Sequence, residues 1–154
     1  MELTLDIISE REFNDYFENK LKRYANAIEK EITQNGHDAM EKAKIQMNKF
    51  LPKGLETPNH FIFNLHQGEN TIGYLWINLV KENQSAFLYD IYIKVEYRGN
   101  GLGREAINKA EVWLRQFNIR NFNLHVFGSN NLARNLYEKI GFKITNIYMK
   151  KELD

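Results

Sequence analysis

The chain predicts a mixed α/β fold, a central sheet flanked by helices, on three observations. Apolar residues before Pro58 recur every three or four positions, the period of a helix. After Pro58 the pattern becomes short apolar runs bounded by turn residues, the signature of strands. Toward the C-terminus strand-like and helix-like segments alternate, which adds a parallel part to an antiparallel sheet.

The elements follow in order. Ser9 with Glu12 three residues later forms a capping box. Phe13, Phe17, Leu21, Tyr24, Ile28 and Ile32 then mark the inner face of a first helix, stopped by Gly36. A second helix spans about residues 38–50, with Met40, Ala43, Met47 and Phe50 inward. Pro52 and Pro58 frame an irregular segment. HFIFNLHQ and TIGYLWINLV, joined through Gly68 and Asn70, read as a hairpin. SAFLYDIYIK is nearly continuous in apolar residues, so it lies deep in the sheet. Residues 102–117 form a helix with Ile107, Ala110, Val112 and Leu114 inward. FNLHVF is a strand, Ser129 caps a helix ending near Ile140 and Gly141, and KITNIYMKKEL is a last strand. No linker or repeat divides the chain, so residues 1–154 form one domain, helical over 1–59 and sheet-based over 60–154.

Composition narrows the function. At 43% hydrophobic the chain can bury a sizeable core. Its 21 basic and 20 acidic residues give no general pull toward nucleic acid or anionic membrane. The absence of cysteine excludes disulfides and thiol catalysis. The N-terminal residues contain no apolar run of signal-peptide length, and no window approaches the ~20 apolar residues of a membrane span. A soluble cytoplasmic protein is expected. His60 and His66 share a strand parity but stand too far apart to chelate one ion. His37 lies near a helix start and His125 in a core strand, so no metal site is expected.

The informative stretch is YRGNGLG. Gly99, Gly101 and Gly103 sit between a buried strand and a helix N-terminus. Two readings fit: a tight turn, or a cradle whose free helix amides bind phosphate. Arg98 and Arg104 favour the cradle. A P-loop is excluded because no Lys-Ser or Lys-Thr follows Gly103, and a dinucleotide fingerprint is excluded by the alternate spacing.

The stretch YIKVEYRGNGLGREA resembles the acetyl-CoA signature of the GNAT superfamily of N-acetyltransferases, [Q/R]-x-x-G-x-[G/A], through Arg98, Gly101 and Gly103. GSNNLARNLYEKIGF resembles the second signature through Asn130, Ala133, Leu136, Tyr137, Glu138, Lys139, Gly141 and Phe142. Val95 stands where the family often has proline. The resemblance spans about residue 71 onward. It implies a GNAT fold, with 1–59 as the acceptor side and 60–154 as the core that binds acetyl-CoA. The pyrophosphate would rest on backbone amides from Tyr97 through Arg98, Gly99, Asn100, Gly101, Leu102 and Gly103 to Arg104. The pantetheine arm would pair with Ile91, Tyr92 and Ile93, and Asn130, in the motif shared with Ala133, would bond it. The strand at Leu124 would splay from its neighbour to admit the arm. Arg104 and Arg134 are either phosphate contacts or solvated charges.

The implied chemistry is attack of a primary amine on a thioester, on a small molecule or a peptide. An alkyl amine with a pKa of about 10 is almost wholly protonated at neutral pH, so a base is needed. Backbone amides would hold the oxyanion. The resemblance makes Tyr137 the acid for the leaving thiolate; it is otherwise core packing beside Leu136. Asp90 is the single carboxylate of an apolar strand, which is the base, a charge paired with a lysine or arginine, or an acceptor of backbone amides at a bulge. Strand alternation puts Asp90 and Tyr92 on one face and Tyr89 and Ile91 on the other. Glu56 is a rival base. Aromatics such as Tyr74 and Trp76 are core or line the acceptor pocket. A non-catalytic acyl-CoA sensor would use the same cradle. The family commonly forms homodimers, which makes a homodimer one expectation here and the C-terminal strand one candidate contact.

Overall fold

A computed structural model describes residues 2–32 and 36–154, without the side chains of residues 31, 32, 36 and 37. The positions of the Ile32 and His37 side chains therefore lie outside the described ones. Five strands form one sheet in the order β1 (Leu3–Ile7), β2 (His60–Gln67), β3 (Asn70–Val80), β4 (Ser85–Ile93) and β5 (Asn121–Leu124). The first four are antiparallel neighbours and β4 pairs with β5 in parallel. Helices α1 (Glu10–Ile32), α2 (Gly36–Phe50), α3 (Leu102–Arg115) and α4 (Asn131–Lys139) complete the fold.

The capping box forms as its spacing requires. The Ser9 Oγ donates to Glu12 Oε1 at 2.7 Å, and the Glu12 amide donates to Ser9 Oγ at 3.3 Å. Gly36 opens α2 and does not terminate α1. β1, which the reading above passes over, carries the alternation LTLDI and buries Leu3 at the edge of the sheet. Val112 is 56% exposed, against expectation. Five residues beyond Ile107 it sits about 140° around the helix, so Ala106, Ile107, Ala110 and Leu114 form the inner face instead.

The sheet separates two cores. One face packs Leu65, Ile72, Leu75 and Ile77 against Ile107 and Ala110 of α3. The other packs Ile62 and Trp76 against Tyr16, Ile28, Ala43 and Met47 of α1 and α2.

Two irregularities in the sheet create the site. Trp76 pairs with Asp90 but Ile77 pairs with Leu88, so Tyr89 is an extra residue in β4. This bulge turns Tyr89 to the α1–α2 face, where it stacks on Trp76 at 4.7 Å between rings. Tyr89 and Asp90 therefore share a face, which strict alternation excluded. The second irregularity is a short ladder: β4 and β5 pair only from Ser85–Asn121 to Leu88–Leu124. Residues 125–127 extend β5 in sequence but carry no strand pairing, so the two strands part at this point.

The last expected strand does not form. Residues 143–154 have no assigned strand, and Ile147, Tyr148, Met149 and Leu153 are 73% to 96% exposed. A strand needs a neighbour for its hydrogen bonds, and this segment has no pairing partner within the described residues of its own chain.

Candidate active site

A cleft of about 490 Å³ lies where β4 and β5 part. Its walls come from six places in the chain. Lys20, Arg23, Tyr24 and Ala27 enter from α1, and Phe50 and Trp76 from α2 and β3. Phe87, Tyr89, Asp90 and Ile91 come from β4. Leu124, His125, Val126 and Phe127 face them, with Asn130, Ala133 and Tyr137 from the start of α4 and its cap.

Asp90 is buried and fully engaged. Arg23 grips it bidentately, Nη1 to Oδ1 and Nη2 to Oδ2, both at 2.8 Å. The Tyr16 hydroxyl donates to Oδ2 at 2.8 Å, and the Lys20 ammonium stands 3.5 Å from Oδ1. Burial pulls the Asp90 carboxyl upward, but Lys20, then Arg23, then the Tyr16 hydroxyl outweigh it and hold it below its ordinary value. Tyr16 is pushed well above the usual tyrosine value, by burial first and by the Asp90 charge second. α1 supplies the whole set from one face, since Tyr16, Lys20, Arg23 and Ala27 follow at four-, three- and four-residue spacing.

Tyr137 is pushed up to about 12, by burial and then by the negative charge of Asp90. Its hydroxyl therefore keeps its proton through the neutral range. The ring meets Phe142 edge-on at 5.7 Å, so packing fixes it as well.

The glycine loop sits at the N-terminus of α3. Gly101 is its N-cap at φ 74° and Gly99 has φ 83°. These are conformations that side chains disfavour. A Cβ at either position would meet nothing within 4 Å, so the glycines border open space and are not squeezed by neighbours. An exposed helix N-terminus with an open approach fits a pyrophosphate. Gly103 is set differently: a Cβ there would lie 3.5 Å from Leu136 of α4.

The remaining candidate residues divide. Ile91, Asn130, Ala133 and Tyr137 reach the cleft with Asp90. Arg98 bends back, its Nε donating to the Ile93 carbonyl at 2.7 Å, and its guanidinium lies 5.3 Å from the Tyr92 ring. Asn100 donates to the Tyr97 and Arg98 carbonyls, which ties the loop. Arg104 is exposed. Arg134 donates to the Gly128 carbonyl at 3.0 Å and pairs with Glu138. Asn130 replaces Ser129 as the cap of α4, accepting from the Ala133 amide at 3.2 Å. Glu56 is exposed and does not line the cleft.

The histidines are spoken for separately. His60 accepts from Trp76 Nε1 at 3.0 Å, and burial lowers its pKa, which suits a neutral ring. His66 bonds Asp6 and Thr71. His125, expected in the core, lines the cleft. Among the described residues no group of three or more metal-ligating side chains gathers.

Sequence reasoning missed Lys20 and Arg23, while Tyr24, one of the aromatics expected in the core or at the acceptor pocket, lines the cleft. The available signal was two cations placed beside an apolar helix stripe, where burial demands a partner.

The profile of the acetyltransferase (GNAT) family matches residues 17–142. The chain belongs to the GNAT family. An uncharacterized N-acetyltransferase of Bacillus subtilis, YycN, is 37% identical over 99% of this chain and 100% of its own. The crystal structure of YycN superposes with a TM-score of 0.93 at 35% identity, covering 98% of each chain. A GNAT-like fold is also seen in the PaiA N-acetyltransferase of Thermoplasma acidophilum in complex with coenzyme A. That chain has a TM-score of 0.72 at 17% identity, over 96% of this chain and 94% of its own. An aminoglycoside N(6')-acetyltransferase of Acinetobacter baumannii is 28% identical over 55% of this chain and 60% of its own. Like other GNAT enzymes, the chain is an acetyl-CoA-dependent N-acetyltransferase acting on an amine. No helix among the described residues is long and apolar enough to cross a membrane.

Proposed function

We propose that the acetyl group is transferred inside the cleft between β4 and β5, with Tyr137 as the acid and the glycine loop as the pyrophosphate cradle. The observation that carries this reading is convergence. The parted strands, the raised Tyr137 hydroxyl and Asn130 meet in one cleft, and the open α3 N-terminus follows β4 through the loop of residues 94–101. Backbone amides of residues 98–104 would hold the phosphates, with Arg98 setting the loop against β4. Ile91, Tyr92 and Ile93 would flank the pantetheine arm, and Asn130 would bond it as well as capping α4. Arg104 has the reach of a solvated charge toward phosphate, whereas Arg134 is committed to Gly128 and Glu138. We assign the oxyanion to a β4 backbone amide at the Tyr89 bulge, beside the cleft.

Tyr137 gives its proton from Oη to the departing thiolate. Asp90 is an anchor in this reading and not the base, because Arg23, Lys20 and Tyr16 occupy both its oxygens. His125, on the opposite wall, is the remaining imidazole or carboxylate of the cleft that can take a proton.

The test is thermal unfolding with acetyl-CoA, with ATP and NAD as controls. At a hundredfold excess over its dissociation constant a ligand adds about 2.7 kcal/mol. Acetyl-CoA alone should stabilise the chain, and Gly101→Val should erase that stabilisation. Tyr137→Phe should keep the stabilisation and lower turnover about 10²-fold, the usual worth of a general acid. Stabilisation by ATP or NAD instead would overturn the cradle, and normal turnover in Tyr137→Phe would return that residue to packing.

We also infer a homodimer through residues 143–154. The segment KITNIYMKKELD is rich in β-formers and holds no glycine or proline with which to reverse onto its own sheet. The outer edge of β5 is left unpaired by any strand among the described residues. At the other edge, the Leu3 amide of β1 is already bonded to Glu105. Reciprocal insertion of each copy's segment beside the other's β5 satisfies both edges with one two-fold contact. Light scattering should give twice 18.3 kDa, and Ile147→Asp with Tyr148→Asp should return the single mass. A chain that is monomeric before substitution, or a dimer that survives it, would overturn this contact.

A further inference from the structure

The acceptor end of the cleft carries an unusual charge balance. Lys20 and Arg23 supply two positive charges and Asp90 one negative, so +2 − 1 leaves +1 in the wall. Asp90 is the only carboxylate among the lining residues, and its oxygens are taken. The cations are not free in water: the side chain of Lys20 is 16% exposed and that of Arg23 25%. Charge in such surroundings acts more strongly than in solvent.

Lys20 has donors to spare. An ammonium holds three N–H groups. The ammonium stands 3.5 Å from Asp90 Oδ1 and 5.4 Å from the centre of the Tyr24 ring. The same cleft is lined by the aromatic rings of Tyr24, Phe50, Trp76 and Tyr89.

We propose that the acceptor is an amine that also carries an oxyanion, a carboxylate or a phosphate, on an apolar body, and that Lys20 holds the oxyanion with Arg23 behind it. This rests on the acetyltransferase reading of the cleft. The same charge serves the chemistry. A positive wall disfavours the ammonium form of the bound amine and so raises the fraction that is nucleophilic. A strong carboxylate base then becomes less necessary, which agrees with the engagement of Asp90. Polycationic amines of the aminoglycoside kind meet net repulsion here and no free carboxylate.

The experiment measures release of free CoA by the full chain with matched amines. Phenylalanine is compared with 2-phenylethylamine, phosphoethanolamine with ethanolamine, and kanamycin stands as the polycation. The anion-bearing member should have the higher kcat/KM, by about tenfold, as one hydrogen bond to a charged group provides. The two pairs separate a carboxylate from a phosphate preference. Lys20→Gln should abolish the preference and Lys20→Glu should invert it, through KM, with stabilisation by acetyl-CoA unchanged. Melting of each variant without ligand controls for loss of fold. Preference for kanamycin or for the uncharged-body amines, or an order that Lys20→Glu leaves unchanged, would overturn this proposal alone. Thiol release with none of the amines, while acetyl-CoA still stabilises the chain, would overturn this proposal and leave the cofactor cradle standing, whereas absence of stabilisation by acetyl-CoA would overturn the cleft reading on which it rests.

Discussion

The two faces of the sheet are built from different chemistry. The face under α3 is apolar: Leu65, Ile72, Leu75, Ile77 and Ile107 are fully buried there, together with Phe63. The face under α1 and α2 buries Tyr16, Trp76 and the carboxylate of Asp90 among its apolar residues. The first face needs only shape and apolar area. The second must also partner the carboxylate it hides, and those partners come from sequence positions 74 and 67 residues away. One face holds the sheet together, and the other holds a cleft open beside it.

The comparison can be broken in order of effect. Ile107→Ala removes aliphatic volume from the α3 face and should cost about 4 kcal/mol of stability, read by urea unfolding, with KM for acetyl-CoA unchanged. A loss below 1 kcal/mol would mean that this face is loosely packed. Asp90→Asn acts on the other face. It strands Arg23 and Lys20 and should cost about 3 kcal/mol. It should also lower turnover, because the cleft wall loses its anchor.

The pH dependence sharpens this second case. The folded Asp90 carboxyl lies below its ordinary value of 3.8, so its contribution to stability is present above that value and is lost as pH falls through the folded pKa. Unfolding measured from neutral pH into the acid range should show a steeper decline in the parent chain than in Asp90→Asn. Equal slopes would remove Asp90 from the acid limb. The smallest effect belongs to neither core. Ser9→Ala removes the α1 cap and should cost about 1 kcal/mol, a fall in Tm of about 2–4 °C. An unchanged Tm would show that tertiary packing alone holds the start of α1.

Much of this architecture was legible in advance where the cause was local. The capping box at Ser9, the hairpin through Gly68 and the buried run of β4 each rest on neighbours within a few residues. Tyr89 was misplaced because a bulge depends on how β3 and β4 align, which alternation within β4 cannot register. Val112 was misplaced by counting apolar residues without their angle on the helix. The last strand was misplaced for the opposite reason: β-propensity in residues 143–154 is real, but a strand exists only where a second strand accepts it.

By itself the sequence determined the mixed α/β class, the helix-opening glycines and the family to which they belong, because these depend on residue type and spacing along the chain. Only the tertiary structure decided which groups Asp90 is paired with. As one carboxylate in an apolar strand it could serve as a base or as half of a pair. The choice depends on which groups arrive beside it from α1, and burial makes the paired charge the stable one once Arg23, Lys20 and Tyr16 are in place.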